Sequence, residues 1–308
     1  MTGRTDFITD ACWLDVWTIW FVLVDDAYQA LERYYGKWRQ RGPEPTFSDS
    51  EVITVALIID TWFHGHQALG LAFLRHYHPD VFPHLPPDGW FNQRRTPLGP
   101  LIDQIRRLIT QQEGLLADDD PLRLLDSAPI PLTTYTRGKD NRTVNGSQYF
   151  GVAPSKGAKL YGLRLHITTT RGQVVDDWLL APASLHDSTP MTAIFEQAHD
   201  LLVLGDGAFH NPTESPVLQE RHNIEIITPP RKDSRQPWPK ELRRWIGRLR
   251  RRVETVLSVL TTVFHIEQPA ARSLAGVVSR ISTRLLAYNL CFITGRLLAQ
   301  LVTKQTPN

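Results

Sequence analysis

Residues 201–209 read LLVLGDGAF: four apolar residues in succession, then Asp206 held between Gly205 and Gly207, then an aromatic. A continuous apolar run closed by turn residues predicts a strand buried inside a sheet. Upstream, RLLDSAPI (123–130) is a second, short apolar strand. LYGLRLHITTT (160–170) alternates and ends in threonines, and VVDDWLLAPA (174–183) follows it across a turn at Gly172, as in a hairpin. Asp187 is placed to cap a helix through about His199. Downstream, a helix near Thr213–Arg221 precedes a further strand, IEIITPP (224–230). A basic helix from about Lys240 to Phe264 and another from about Ala270 to Leu301 complete the chain.

Three strands, a helix, a strand, a helix, a strand and more helices is a mixed α/β order. It predicts a ribonuclease-H-like mixed sheet flanked by helices, with the first three strands antiparallel and the later two added by crossovers. The first 117 residues read differently. Trp13, Trp17, Trp20 and Val24 step by four, three and four, which is the buried side of a helix. Ser48 and Glu51 frame a capping box that opens an apolar helix through about Trp62. A helix over about 69–76 ends before Pro79, HPDVFPHLPPDGW (78–90) is a connection, and 92–116 reads as one basic helix with Arg94, Arg95, Arg106 and Arg107. The expected division is a helical domain over 1–117 and a ribonuclease-H-like domain over 118–308, with DDD (118–120) as a solvated joint.

With 42% hydrophobic and 21% charged residues in 308, the composition is that of an ordinary globular protein. Cys12 and Cys291 are too few for a disulfide framework or a cysteine zinc site, which fits a reducing cytosol. His64, His66, His76 and His78 have no convergent cysteines beside them, so zinc is not expected. The apolar run at 11–24 is too short to span a bilayer and carries Asp15; neither a membrane span nor a signal peptide is expected. Charge is unevenly spread. Between Pro229 and Arg252 stand ten cations against Asp233 and Glu241, a local balance of +8 in a chain of net +2. With Trp238 and Trp245 interleaved, this segment predicts a polyanion-binding surface, and Arg231, Lys232, Arg235, Arg243, Arg244, Arg250 and Arg251 are its candidate DNA contacts. The polar insertion at 133–157 is a second candidate loop for such contacts.

In the predicted topology the first and fourth strands are neighbours, so Asp126 and Asp206 stand side by side. Paired carboxylates are hard oxygen ligands for divalent cations, and two such ions about 4 Å apart drive phosphoryl transfer. On the basic helix, Ile246, Leu249, Val253, Val256, Leu257, Leu260 and Phe264 form one apolar sector, with Glu254 on its rim about 60° from Leu257. Packing that sector on the sheet would lean Glu254 over the two aspartates, with Arg250 one turn earlier on the same side. Taken singly, each carboxylate has a bland reading: a strand end, a turn residue, an exposed ion pair. Asp176 and Asp177 are rival carboxylates on a strand farther from Asp206.

The second half, 122–295, resembles the DDE transposases of the insertion-sequence 982 family. The resemblance is carried by LLDSAPIPL (124–132), KLYGLRLHITTTRG (159–172), LLAPASLHDS (179–188), VLGDGAF (203–209), ITPPRKDSRQP (227–237), RRRVETVLSVLTTVFHIEQPAARSLAGVVSRI (250–281) and LLAYNL (285–290); FSDSEVITVAL (47–57) resembles the family's amino-terminal region. The resemblance implies that Asp126, Asp206 and Glu254 form a catalytic, metal-binding triad. It would set His186 and Asp187 in a loop approaching the site. It implies two Mg²⁺ ions, with Mn²⁺ able to substitute. The reaction would be cleavage at insertion-sequence ends and strand transfer into target DNA. A homodimer acting in the cytoplasm of a bacterium or archaeon, at the nucleoid, is expected with it. Arg250 matches the arginine of a wider signature, whose tyrosine and lysine positions are held here by Gly247 and Thr261, so no role carries over to those two. Two other readings stand beside it: a nuclease of the same fold that only hydrolyses, and a catalytically inactive DNA-binding relative.

Overall fold

The computed structural model describes residues 10–39, 42–116, 120–153, 157–230 and 237–305. The chain opens with helices α1 (Asp10–Tyr35), α2 (Asp49–Trp62), α3 (Gln67–Tyr77), α4 (Asp88–Arg95) and α5 (Gly99–Gln112). There follow strands β1 (Leu122–Thr133), β2 (Phe150–Ala153), β3 (Ala158–Thr169) and β4 (Val175–Pro182), then the four-residue α6 (Met191–Ile194). Strand β5 (Leu202–Leu204), α7 (Glu214–His222), β6 (Glu225–Ile227), α8 (Lys240–Thr262) and α9 (Leu274–Gln305) complete the order.

The chain divides into two compact units, residues 114–274 and residues 1–113 with 275–308. The last helix therefore belongs with the amino-terminal helices, whereas the sequence placed it after the break at 117/118.

In the helical unit α2 is apolar on every side, and Val52 to Asp60 are all buried, as befits a central helix. Its start is the expected capping box: Glu51 N donates to Ser48 Oγ (3.1 Å) and Ser48 N donates to Glu51 Oε2 (2.6 Å). At its far end Trp62 receives Trp13, Trp17 and Trp20 at centroid distances of 5.1, 6.0 and 5.1 Å. The last helix is bonded into this unit, with Trp20 Nε1 donating to Thr294 Oγ1 (2.9 Å). A Cβ on Gly99 would stand 2.8 Å from the backbone nitrogen of Ser279, so only glycine lets α5 begin against α9.

The basic helix expected over 92–116 is broken into α4, a 3-10 turn at Thr96–Leu98 and α5, because Pro97 and Pro100 interrupt the hydrogen-bond ladder. Nor are its arginines all on a solvent face. Arg95 and Arg106 are buried, and Arg95 is ion-paired with the fully buried Asp60. Arg280 approaches the other oxygen of Asp60 at 3.9 Å and donates to the carbonyl of Gly65 (3.1 Å). Burial, with Arg95 nearby, pushes the Arg280 guanidinium down to about 10, against the pull of Asp60.

In the other unit the sheet order is β2-β3-β1-β5-β6, with β4 pairing β3 on the same side as β2. β1, β3 and β4 are antiparallel neighbours, and β5 and β6 run parallel to β1. That is the ribonuclease-H-like arrangement. Strand β2 is an addition: Phe150 to Ala153, part of the insertion read as a loop, pairs with the start of β3. One face of the sheet is packed by Leu125 and Val203 against Met191, Phe195, Phe209, Leu218 and Ile224. Helix α8 packs against β1 through Ile246, Leu249, Val253, Val256 and Leu260.

The buried charge of the helical unit makes a prediction. Asp60→Asn leaves Arg95 and Arg280 without their carboxylate, and removing one partner of a buried pair costs about 3–5 kcal/mol. Urea unfolding followed by the fluorescence of the Trp62 cluster is expected to show that loss.

Candidate active site

Strand β5 is only three residues long, and it decides where two carboxylates go. It pairs with β1 in parallel register, Leu122 with Leu202 and Leu124 with Leu204. Asp126 is two residues beyond Leu124, and Asp206 is two residues beyond Leu204. Side chains alternate along a strand, so both aspartates leave the same end of the pair. Asp206 itself lies past the strand, at extended backbone angles, and caps the 3-10 turn Gly207–Phe209 by accepting from Ala208 N (2.8 Å). Asp126 accepts from Ser127 N (2.8 Å). One oxygen of each aspartate is thereby fixed.

Burial raises the Asp126 carboxyl to about 6; the Ser127 amide opposes the shift, Asp206 adds to it, Arg250 opposes it and Glu254 adds to it. The four charged groups thus share one field, contributed by β1, the end of β5 and α8. Glu254 is half-exposed, and its Oε1 stands 4.0 Å from Arg250 Nη2. An exposed pair at that separation contributes at most a few tenths of a kcal/mol and leaves the carboxylate able to turn. Arg250 is more enclosed, and its Nε is buried without a hydrogen-bond partner.

Two contact sets that the sequence did not reveal hold these elements. At the tip of the β3–β4 hairpin, Gln173 adopts a positive φ of 68° and its amide donates to the carbonyl of Arg252 (3.2 Å). Arg252 in return donates to the carbonyl of Arg171. The hairpin therefore grips α8 two residues before Glu254, and Arg252, counted among the basic run, is used within the protein. The second set centres on Asp187. It accepts from Ser127 Oγ (2.9 Å) and from Arg164 Nη1 (2.8 Å) and lies 3.2 Å from His166 Nε2. Burial opposes its charge, but His166, Arg164 and Ser127 hold the carboxyl well below the usual carboxylate range. Asp187 caps no helix; the segment expected to be helical through His199 forms only Met191–Ile194, begun by Pro190. The one signal for the second set was the family resemblance, which put His186 and Asp187 in a loop approaching the site. Nothing in the sequence pairs Gln173 with Arg252.

Of the candidate DNA contacts, Arg243, Arg244 and Arg251 are exposed on α8 and Arg250 is half-buried. Arg231, Lys232 and Arg235 lie outside the described residues. Asp176 is ion-paired with Arg123 and so belongs to the sheet. Among the described residues no three His, Cys, Asp or Glu side chains are gathered closely enough to hold a metal ion, neither the histidines of the helical unit nor the three carboxylates. The carboxylates nonetheless fit a hard divalent cation in donor type, and a bound cation would oppose the rise that burial, with a smaller part from Asp206 and Glu254, imposes on Asp126. No helix of the described residues is long and apolar enough to cross a membrane.

Strand order and connection make this a ribonuclease-H-like α/β protein, with Asp126 inside one central strand and Asp206 just past the end of its neighbour. Residues 117–290, more than half of the chain, match the family model described as "Transposase DDE domain". The chain belongs to that family, and its general function is that of a DNA transposase. No curated protein matches it. Among solved structures, it is similar to one described as "Mos1 transposase paired-end complex with left transposon end". The identity is 12% and the TM-score 0.22, over 82% of this chain and 96% of that one.

The raised carboxyl has a consequence for stability. Because the folded-state value of Asp126 lies above the ordinary 3.8, its contribution favours the fold at low pH and is lost as pH rises through about 6. Asp126→Asn abolishes that loss. At pH 8 and without divalent cations, the variant is expected to be more stable than wild type by on the order of 2 kcal/mol, and at pH 4 nearly equal. Urea titrations at the two pH values measure the difference.

Proposed function

We propose that this chain is a transposase of the insertion-sequence 982 group that cleaves DNA at the element ends and joins the freed 3′-hydroxyl to target DNA. Asp126, Asp206 and Glu254 are its catalytic, metal-binding residues. The observation that carries this reading is the β1–β5 register, which brings Asp126 and Asp206 to the same side of adjacent strands, with Glu254 on the helix that packs against β1. Mg²⁺ ions, with Mn²⁺ able to replace them, would polarise the phosphodiester and activate the attacking oxygen when held by these three side chains. Asp126 stands within β1 and Asp206 just past the end of β5, whereas Glu254 sits on a helix and can turn as substrate arrives.

Arg250 is placed to offset the carboxylates and to bind the phosphate presented to them. Arg243, Arg244 and Arg251 would neutralise the flanking backbone, and Arg231, Lys232 and Arg235 continue the same basic run in the sequence. The match to a transposase domain over residues 117–290 supports DNA as the partner here. For the helical unit we propose end recognition or contacts in a homodimer. Its exposed Tyr34, Tyr35, Tyr77 and Trp90 support a contact surface. The place of action would be the cytoplasm of a bacterium or archaeon, at the nucleoid.

The test uses labelled DNA from the ends flanking this gene, a target plasmid, and Mg²⁺ or Mn²⁺. Wild type is expected to give joined products, with Asp126→Asn, Asp206→Asn and Glu254→Gln each reduced more than about a hundredfold while still binding the DNA. Cleavage without joining would make the chain a nuclease. Full activity from Glu254→Gln would remove that residue from the site.

A further inference from the structure

Gly247 lies in the interior of α8, where glycine is a poor helix former compared with alanine. Nothing in the protein requires it. A Cβ built at Gly247 meets no atom within 4 Å, and its φ is not in the left-handed region. The space beside it is open, and the neighbours on its side of the helix are charged. At 100° per residue, Lys240, Arg243, Arg244, Gly247, Arg250, Arg251 and Glu254 fall within about 60° of one line along α8. Between Lys240 and Glu254, Gly247 is the one uncharged position of that stripe. Arg243 and Arg244 stand one turn before it, and Arg250 and Arg251 one turn after it, within side-chain reach of the same point.

We propose that Gly247 is a notch that admits the sugar-phosphate backbone of the bound DNA against the helix itself. The two arginine pairs would close on its phosphate from either side. This rests on the DNA-cleaving reading above and adds a position to it. Seven residues separate Gly247 from Glu254, about 10.5 Å of helix. At 3.4 Å per nucleotide of one strand, the notch contacts the backbone about three nucleotides from the phosphodiester held at Glu254. A side chain here would hold the DNA away from the helix, so the gap serves the ligand at the expense of the helix.

The experiment compares wild type, Gly247→Ala, Gly247→Gln and Arg243→Gln. It measures thermal midpoint, affinity for a short fluorescein-labelled duplex over a range of salt, and cleavage of labelled element ends. Both Gly247 variants are expected to melt higher than wild type yet bind more weakly, by a few-fold for alanine and about tenfold for glutamine. Their salt slope should be unchanged, because no cation is removed, whereas Arg243→Gln lowers the slope by about one. A glycine that mattered only to the fold would not raise stability and lower affinity together. If wild type neither binds nor cleaves DNA, the reading beneath the proposal is overturned, and the notch with it. If wild type does both and the Gly247 variants match it in affinity and rate, the notch alone is overturned.

Discussion

Three residue pairs between β1 and β5 are the constraint on which the candidate site depends. A parallel pair cannot be closed by a tight turn, so the chain between its two strands must leave the sheet and return. Here the excursion runs from residue 133 to residue 202 and carries β2, β3, β4 and α6. The register that results, Leu124 beside Leu204, is enforced because each strand inserts apolar side chains into a buried layer on at least one face. A slip of one residue would turn Asp126 into that layer and Ser127 out of it. The same hydrophobic pattern that builds the core therefore also brings two acidic residues to one place.

The third carboxylate is held by different physics. Helix α8 has its apolar stripe on β1, but a stripe alone permits sliding along the helix axis. The hydrogen bonds between the hairpin tip and the backbone at Arg252 remove that freedom close to Glu254. On the sheet itself, Asp187 ties Ser127 to Arg164, so the strand bearing Asp126 is braced from its other side. The rigid parts of the site come from backbone pairing and buried ion pairs, and its mobile part is a half-exposed glutamate. Such a division suits a centre that is to bind a charged substrate and then change with it.

The helical unit answers another question, why the chain places arginines where apolar residues would pack. Arg95 and Arg280 meet at Asp60 in the interior, one from α4 and one from the last helix. A buried charge demands a partner at a defined point and so makes the pairing of distant segments specific, where greasy packing would tolerate shifts. In this way the end of the chain becomes part of the unit formed by its beginning.

What the sequence by itself determined was whatever rests on periodicity and local chemistry. The order of elements, the capping box at Ser48, the amphipathic stripe of α8 and the spacing of the three acids are all of this kind, since each reads out over a few neighbouring residues. The ribonuclease-H-like order followed from these, because few topologies accommodate such a sequence of strands and helices. Only the tertiary structure decided the rest. It buried Arg95 and Arg106 inside the protein, tied the exposed Arg252 to the hairpin tip, turned Asp187 from a cap into a brace, made a strand of Phe150–Ala153 and gave the last helix to the other unit. Most of these depend on a partner or an element elsewhere in the chain, such as Arg171 for Arg252 or Ser127 for Asp187. The identity of such a partner leaves no trace in local composition. An arginine carries the same charge whether it faces solvent or a buried carbonyl, and only the folded chain brings the carbonyl to it.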